Sequence, residues 1–223
     1  MKKNVIAPIV LLVILSVLII VSLGIGSKYI SIGGIIDILL NKQIFSDEIN
    51  PIDKKIILQI RLPRILFSVI AGMSLSISGL IYQTVLKNPL AEPFTLGISS
   101  GATLGAALAI FISDYFLKYR LPIFPFAFAG GCSTLLVLSI FILKRNISLF
   151  TLIFIGISLS YFFNAFLTLL LSMLGNRSYE VLIWMFGSFS NPPGITVLSL
   201  YFAVFLIVFI TLFFFNRKLD ILY

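Results

Sequence analysis

Long stretches without a charged side chain dominate this sequence and limit what it can fold into. A helix needs about 20 mostly apolar residues to cross the hydrocarbon core of a bilayer. In lipid, only helices and closed barrels satisfy their own backbone hydrogen bonds. The sequence therefore predicts an all-α, polytopic membrane helix bundle with six transmembrane helices. The uncharged stretches are Val5–Ser27, Ile65–Leu86, Phe94–Ser113, Leu121–Leu143, Asn146–Asn176 and Val181–Asn216.

The balance of polar and apolar residues supports the same class. Of the 223 residues, 60% are hydrophobic and 11% are charged, whereas a soluble domain carries about 25% charged residues. This chain has too little polar surface to cover a water-soluble globule. We therefore expect lipid to be its main solvent.

The last uncharged stretch is too long for one span and contains its own break. Asn191-Pro192-Pro193-Gly194 interrupts it, because proline ends or kinks a helix and glycine favours turns. We expect the sixth span over Ile195–Phe215. The preceding Val181–Ser190 is short enough to form a re-entrant or surface helix at the membrane interface.

One long hydrophilic connection, Ser27–Arg64, joins the first two predicted spans. Its Ile32–Leu40 part is predicted to form a short amphipathic helix.

Six spans place both chain ends on one side of the membrane, with seven of the 16 Lys and Arg residues there and the other nine opposite. The positive-inside rule therefore does not decide the orientation. Tight basic pairs, such as Lys2-Lys3 and Arg217-Lys218, favour a cytoplasmic location for both ends.

Charge and residue usage exclude several other classes. Basic residues outnumber acidic ones by 16 to 8, but many border apolar stretches, where they anchor helices at the membrane edge. We therefore expect no nucleic-acid partner. Histidine is absent and Cys132 is the single cysteine, so no cofactor, metal site or catalytic residue is predicted.

The energy source for any transport must lie elsewhere. No Asp, Glu, Lys or Arg falls inside the expected spans, although ion-coupled transporters usually carry such a residue at depth. Intramembrane proteases need a general base or paired carboxylates, which are missing from these spans. The P-loop pattern G-x-x-x-x-G-K-[ST] is also missing, so an ATPase would have to be a separate subunit.

Glycines recur every four residues at Gly97, Gly101 and Gly105. Residues four apart lie on one face of a helix, and glycine there allows another backbone to approach closely. This spacing predicts a helix-packing face, either within a bundle or at a subunit contact.

Two further groups of polar residues allow two interpretations each. Ser160, Asn164 and Thr168 share one helical face, so they either line a polar path or form hydrogen bonds between helices. Arg61 and Arg64 precede the second predicted span. They either anchor lipid headgroups or form a docking site for acidic residues of a partner, because guanidinium groups pair well with carboxylates.

The segment Arg61–Ile110 resembles the FecCD-type permeases of bacterial ABC importers for iron–siderophore complexes, haem and vitamin B12. It contains the R-L-P-R start, Ser78-Gly79 with Gln83, N-P-L-A-x-P over Asn88–Pro93 and L-G-x-S-x-G-A over Leu96–Ala102. A second block, Trp184–Phe189, resembles the W-x-x-G-S segment of the same family. The likeness covers essentially the whole chain.

The resemblance implies a type II importer that takes up an iron chelate, with haem or vitamin B12 as alternatives. Its implied partners are a second permease, usually an identical copy, two cytoplasmic ATPases and an extracytoplasmic substrate-binding protein. Arg61 and Arg64 would dock that binding protein. Asn146 and Ser148 match the region near the inner gate, and the fifth span, with Ser160, Asn164 and Thr168, would line the pathway.

The length departs from that family's pattern. Its members usually have ten spanning helices, and this chain stops just after the sixth expected one. We therefore expect residues 1–223 to be a permease domain that is incomplete at its C-terminus, as a fragment, a truncated product or half of a split permease. A membrane scaffold that does not couple ATP hydrolysis to transport is the alternative.

Overall fold

The computed structural model describes residues 6–42, 44–45, 50–89, 91–117, 119–143, 148–190 and 192–220. Across these residues the secondary structure is helical, and no β-strand occurs among them. The α-helices are α1 (Ile6–Gly24), α2 (Ile32–Leu40), α3 (Pro51–Lys55), α4 (Leu62–Val85), α5 (Ile98–Tyr115), α6 (Ile123–Ile142), α7 (Leu149–Leu174), α8 (Ser178–Phe186) and α9 (Ile195–Asp220).

Six helical stretches in the described part of the chain are long and apolar enough to cross a membrane. This confirms the predicted all-α fold with six transmembrane helices. Most of their large apolar side chains are exposed to the surroundings, as expected for helices that are solvated by lipid. The stretches are Ile6–Gly24, Pro51–Val85, Ile98–Tyr115, Ile123–Ile142, Phe150–Phe186 and Ile195–Phe214.

The chain forms two compact units. The first comprises Met1–Ser74 and Phe189–Leu212, and the second comprises Leu75–Ser188 and Phe213–Tyr223. Each unit has its own buried apolar cluster. In the first, the end of α1 packs on α2 and on the start of the second span; in the second, α5 packs on α7 and α8. The clusters are Leu23, Ile30, Ile35, Ile38 and Ile57 in the first unit, and Ala107, Ile110, Leu167, Leu174 and Val181 in the second.

The second span begins earlier than the sequence analysis predicted. Helix starts at Pro51 instead of near Ile65, so the second half of the expected hydrophilic connection is helical. The Asn50 side chain accepts a hydrogen bond from the Ile52 N–H at 2.9 Å, and Pro51 occupies the first turn. Asparagine at the N-cap followed by proline is a favourable helix start.

A π-helical segment, Ile56–Arg61, connects α3 to α4 directly before Pro63. A proline inside an α-helix lacks an N–H donor, and its ring clashes with the carbonyl four residues earlier. Here the Leu62 N–H bonds the carbonyl of Ile57, five residues back. This wider turn leaves room for the buried Pro63, so the helix continues through it instead of ending.

The two short helices differ in how well they were predicted. α2 has the predicted bounds; its Ser31 cap accepts from the Gly34 N–H at 3.2 Å, and left-handed Asn41 (φ 51) ends it. α8 lies a few residues earlier than the predicted Val181–Ser190, at Ser178–Phe186. It stops there because Gly187 has a φ of 70, which leaves the helical region.

Asp37 is a fully buried carboxylate that organises the chain after α2. One of its oxygens accepts from the Ile44 N–H at 2.8 Å, and both accept from the Phe45 N–H at 3.1 Å. The residue has 0% exposure. These hydrogen bonds compensate the cost of burying its polar atoms.

We expect Asp37→Ala to destabilise the fold by about 1–3 kcal/mol, because it leaves two backbone N–H groups without their acceptor. Asp37→Asn retains a carbonyl oxygen that can still accept, so this variant should lose clearly less stability than Asp37→Ala. Thermal unfolding in detergent, followed by fluorescence, measures both variants. Equal melting temperatures for Asp37→Ala and the unmodified protein would contradict this role.

Candidate functional site

A cleft of about 450 Å³ lies in the first unit, between the end of α1 and the start of the second span. Both arginines of the R-L-P-R motif line it. Its walls combine these guanidinium groups with serine hydroxyls and apolar side chains, including Ser27, Ile60, Ile65 and Phe189. Such a mixture can receive an anionic group that has apolar atoms beside it.

Arg61 uses its guanidinium within the protein. Its Nη1 donates to the carbonyl of Leu23 and, at 3.1 Å, to that of Gly24, while its Nη2 donates to the carbonyl of Lys28. The side chain is partly buried. Two of these acceptors belong to the last turn of α1, where carbonyls lack partners within the helix.

Arg64 lies one helical turn further along and is exposed. Its Nη2 donates to the backbone carbonyl of Ser190 at 2.9 Å. The neighbouring Phe189 packs edge-on against Phe67, with ring centroids 5.4 Å apart. The structure thus places both predicted docking residues in one cleft, with different environments.

In the second unit, Gly101 and Gly105 lie against α6. A Cβ at either position would come within 3.0 Å of the α6 backbone, at the carbonyl of Gly130 or of Phe126. Only glycine permits this approach. Gly130 has the reciprocal role, because a Cβ there would meet the Gly101 carbonyl.

Gly97 differs from the other two glycines of the predicted row. It precedes α5 as the N-cap residue in the left-handed region (φ 79) and is not itself within the helix. A Cβ there would lie 2.9 Å from the Gly156 carbonyl and 3.0 Å from Ser160 Oγ, both on α7. From α6, Thr134 Oγ1 donates to the Gly97 carbonyl at 3.4 Å, so Gly97 joins three helices.

The three predicted pathway residues do not share one environment. Ser160 is partly buried, and its Oγ donates to the Gly156 carbonyl at 3.0 Å. Asn164 and Thr168 are exposed, and Thr168 Oγ1 donates to the Asn164 carbonyl at 2.8 Å. Ser160 therefore lies in the contact with Gly97, while the other two face outward from the unit.

Of the residues predicted near the inner gate, Ser148 is the N-cap of α7. Its Oγ accepts from the Thr151 N–H at 3.2 Å and lies 2.9 Å from Thr151 Oγ1. Asn146 lies outside the described residues. In the part of the chain that is described, no group of three or more His, Cys, Asp or Glu side chains could hold a metal ion.

Sequence reasoning missed four residues that build these contacts. Gly26 lies against the Arg61 guanidinium, Gly130 and Thr134 against α5, and Gly156 against Leu96. The adjacent Gly130-Gly131 pair and the isolated Gly156 in an apolar stretch were available signals, because glycine in a spanning helix often marks a close contact. Nothing in the local sequence marks Gly26 or Thr134.

A model of the FecCD transport family matches residues 14–223 of this chain. A solved structure of a metal-chelate-type ABC transporter, in an inward-facing conformation, superposes with a TM-score of 0.77 at 31% identity. The match covers 95% of this chain and 62% of the solved one.

Curated relatives point the same way. An uncharacterized ABC transporter permease of Bacillus subtilis, YvrB, is 31% identical over 93% of this chain and 60% of its own length. The molybdate import permease MolB of Haemophilus influenzae is 37% identical over 77% of this chain and 50% of its own. The Fe(3+)-citrate import permease YfmE of B. subtilis is 35% identical over 84% of this chain and 54% of its own length. The chain thus spans 50–60% of the length of these relatives.

We expect Gly101→Ala to destabilise the second unit by about 1–3 kcal/mol, because its methyl group would overlap the α6 backbone. Gly79→Ala is the matched control: its Cβ would meet nothing within 4 Å, and alanine favours helix by about 1 kcal/mol over glycine. Detergent melting curves of both variants test the contact. A melting temperature for Gly101→Ala at or above that of Gly79→Ala would contradict it.

Proposed function

Because the chain belongs to the FecCD transport family, we propose that it forms the membrane permease part of an ABC importer for iron chelates. The family match over residues 14–223 is the observation that carries this proposal. The six apolar helical stretches supply the membrane-spanning part that such a permease needs. No covalent chemistry is required of the chain.

The cargo class rests on the relatives. YfmE imports Fe(3+)-citrate, and the solved neighbour is of the metal-chelate type, so an iron chelate is the favoured cargo. Haem and vitamin B12 are alternatives from the motif resemblance, and MolB adds molybdate as a further candidate. Competition between these compounds in an uptake assay with reconstituted transporter separates them.

Transport by this permease requires separate subunits for energy and delivery. The sequence has no P-loop, so ATP hydrolysis is assigned to cytoplasmic ATPase subunits. A second permease copy and an extracytoplasmic substrate-binding protein complete the proposed assembly. ATPase closure on the inner side would shift the helices between inward-facing and outward-facing states.

We assign three sites on this basis. The cleft with Arg61 and Arg64 receives acidic residues of the binding protein, because guanidinium groups favour carboxylates. Asn164 and Thr168, exposed on α7, line the pathway, with Ser160 at its edge. Ser148 and Asn146 belong to the inner gate region. Both chain ends lie in the cytoplasm.

We expect the double variant Arg61→Glu/Arg64→Glu to capture the binding protein at least about tenfold more weakly, because two positive charges in the docking cleft become negative. Candidate binding proteins from the same organism are immobilised and their affinity for the reconstituted transporter is measured. Lys87→Glu is the control; its exposed side chain follows α4, on the opposite side of the membrane in this orientation. Unchanged affinity in the double variant would remove the docking assignment.

The proposed orientation can be tested on intact cells. Cys132→Ser removes the native thiol, and single cysteines are introduced at Tyr119, between α5 and α6, or at Ser148. A membrane-impermeant maleimide should label Tyr119→Cys in intact cells and Ser148→Cys only after lysis, because charged reagents do not cross the bilayer. The reverse pattern would place the chain ends outside.

A further inference from the structure

We propose that Arg61 is a positioning residue that locks the end of α1 onto the second span, and that Arg64 makes the charge contact with the acidic partner. This rests on the docking function proposed above, and it divides the roles of the two arginines. The motif resemblance alone assigns both of them to the partner.

The hydrogen-bond acceptors around Arg61 explain why its guanidinium group is held within the protein. The last carbonyls of α1 have no partner in the helix, and at a membrane edge an unpaired carbonyl is costly. The Ile30 N–H bonds the Gly24 carbonyl at 3.1 Å. Arg61 bonds the same carbonyl together with those of Leu23 and Lys28. A cation is also favoured there by the negative end of the helix dipole.

The connection after α1 is shaped around this guanidinium. A Cβ at Gly26 would lie 2.5 Å from Arg61 Nη2 and 2.9 Å from its Cζ. Alanine at residue 26 would therefore force the guanidinium to move from the position in which it bonds all three carbonyls. Lys28, whose carbonyl is one of the acceptors, is itself held by an ion pair with Asp53. The chain after α1 is therefore held at Lys28 by two contacts. The Lys28 carbonyl accepts from Arg61, and the Lys28 ammonium group pairs with Asp53.

Packing beneath the guanidinium links the same elements. Leu23 and Ile57 are 3% and 0% exposed and belong to one buried cluster. Arg61 lies four residues after Ile57 in the same π segment and bonds the carbonyl of Leu23. Loss of the guanidinium would therefore loosen the wall of the cleft in which Arg64 lies.

Arg64 has the opposite character. It is exposed, it lines the cleft, and its described hydrogen bond goes to a single carbonyl, that of Ser190. An exposed arginine at a cleft edge can exchange one neutral acceptor for a carboxylate and gain a charge-assisted bond. It is the arginine of the pair that a partner can reach without breaking the α1 contact.

Lysine distinguishes the two roles. Its ammonium group keeps the charge but lacks the planar fork that bonds several carbonyls at once. At a position that acts by charge, Lys retains most of the function. At Arg61, lysine should have the same effect as removal of the guanidinium group. One compact ammonium group cannot replace the hydrogen bonds to three carbonyls.

The first experiment needs no partner. Hydrogen–deuterium exchange of the amides of residues 25–31 is measured on the complete transporter in detergent. Arg61→Lys, Arg61→Gln and Gly26→Ala should each speed this exchange about tenfold, as expected when the segment opens locally after losing a charged hydrogen bond. Arg64→Gln, the matched control, should leave it unchanged. Exchange that is unaltered in Arg61→Gln would overturn the proposal.

The second experiment repeats the capture assay, with the immobilised candidate that binds the unmodified transporter, at several salt concentrations. Arg64→Lys should bind nearly as the unmodified transporter does, whereas Arg64→Gln should bind more weakly with a reduced salt dependence. Arg61→Lys and Gly26→Ala should bind more weakly with an unchanged salt dependence. If Arg61→Lys binds normally while Arg61→Gln does not, Arg61 acts through its charge and the proposal is wrong. If the unmodified transporter captures no binding protein, the docking function fails, and the exchange data alone decide the role of Arg61.

Discussion

The requirement that every backbone polar group find a partner governs this structure, because lipid offers none. Along its length, each helix satisfies its own backbone N–H and C=O groups. Backbone groups at helix ends and at irregular turns need partners from elsewhere. Arg61 supplies donors to the last carbonyls of α1, and Asp37 supplies acceptors to the turn after α2. In both places a side chain bonds backbone groups that water would bond in a soluble protein.

Association of the helices follows from the same solvent. Lipid is as apolar as the side chains, so close backbone approach replaces the hydrophobic effect as the cause of packing. Gly101 and Gly105 allow α5 to approach α6, and Gly97 with Gly156 allows the start of α5 to approach α7. Thr134 adds a hydrogen bond to the Gly97 carbonyl.

Sequence alone gave the fold class and the family, since long uncharged stretches and the R-L-P-R and N-P-L-A-x-P motifs are local signals. The family resemblance and the fold class are both confirmed. The bounds of the second span were wrong, because the uncharged stretch begins only after Arg64 and the π segment that carries the helix through Pro63 has no sequence signature. The different environments of Arg61 and Arg64 were also beyond prediction. They depend on where the α1 carbonyls and Gly26 lie in space, and residues 38 positions apart in the chain carry no local sign of contact.

The π segment also sets the rotation, about the helix axis, of the residues that follow it in the first unit. A π turn holds one residue more than an α turn, and each helical residue rotates the chain by about 100°. Residues 62–74 of α4, within the first unit, are therefore rotated about the helix axis by roughly that angle from the positions that an uninterrupted α-helix would give them. Without the extra residue, Arg64 would point away from the cleft, and different members of residues 62–74 would face the lipid. The π segment Ile56–Arg61 therefore has two effects. It makes room for Pro63, and it sets which residues of the following turns face the cleft.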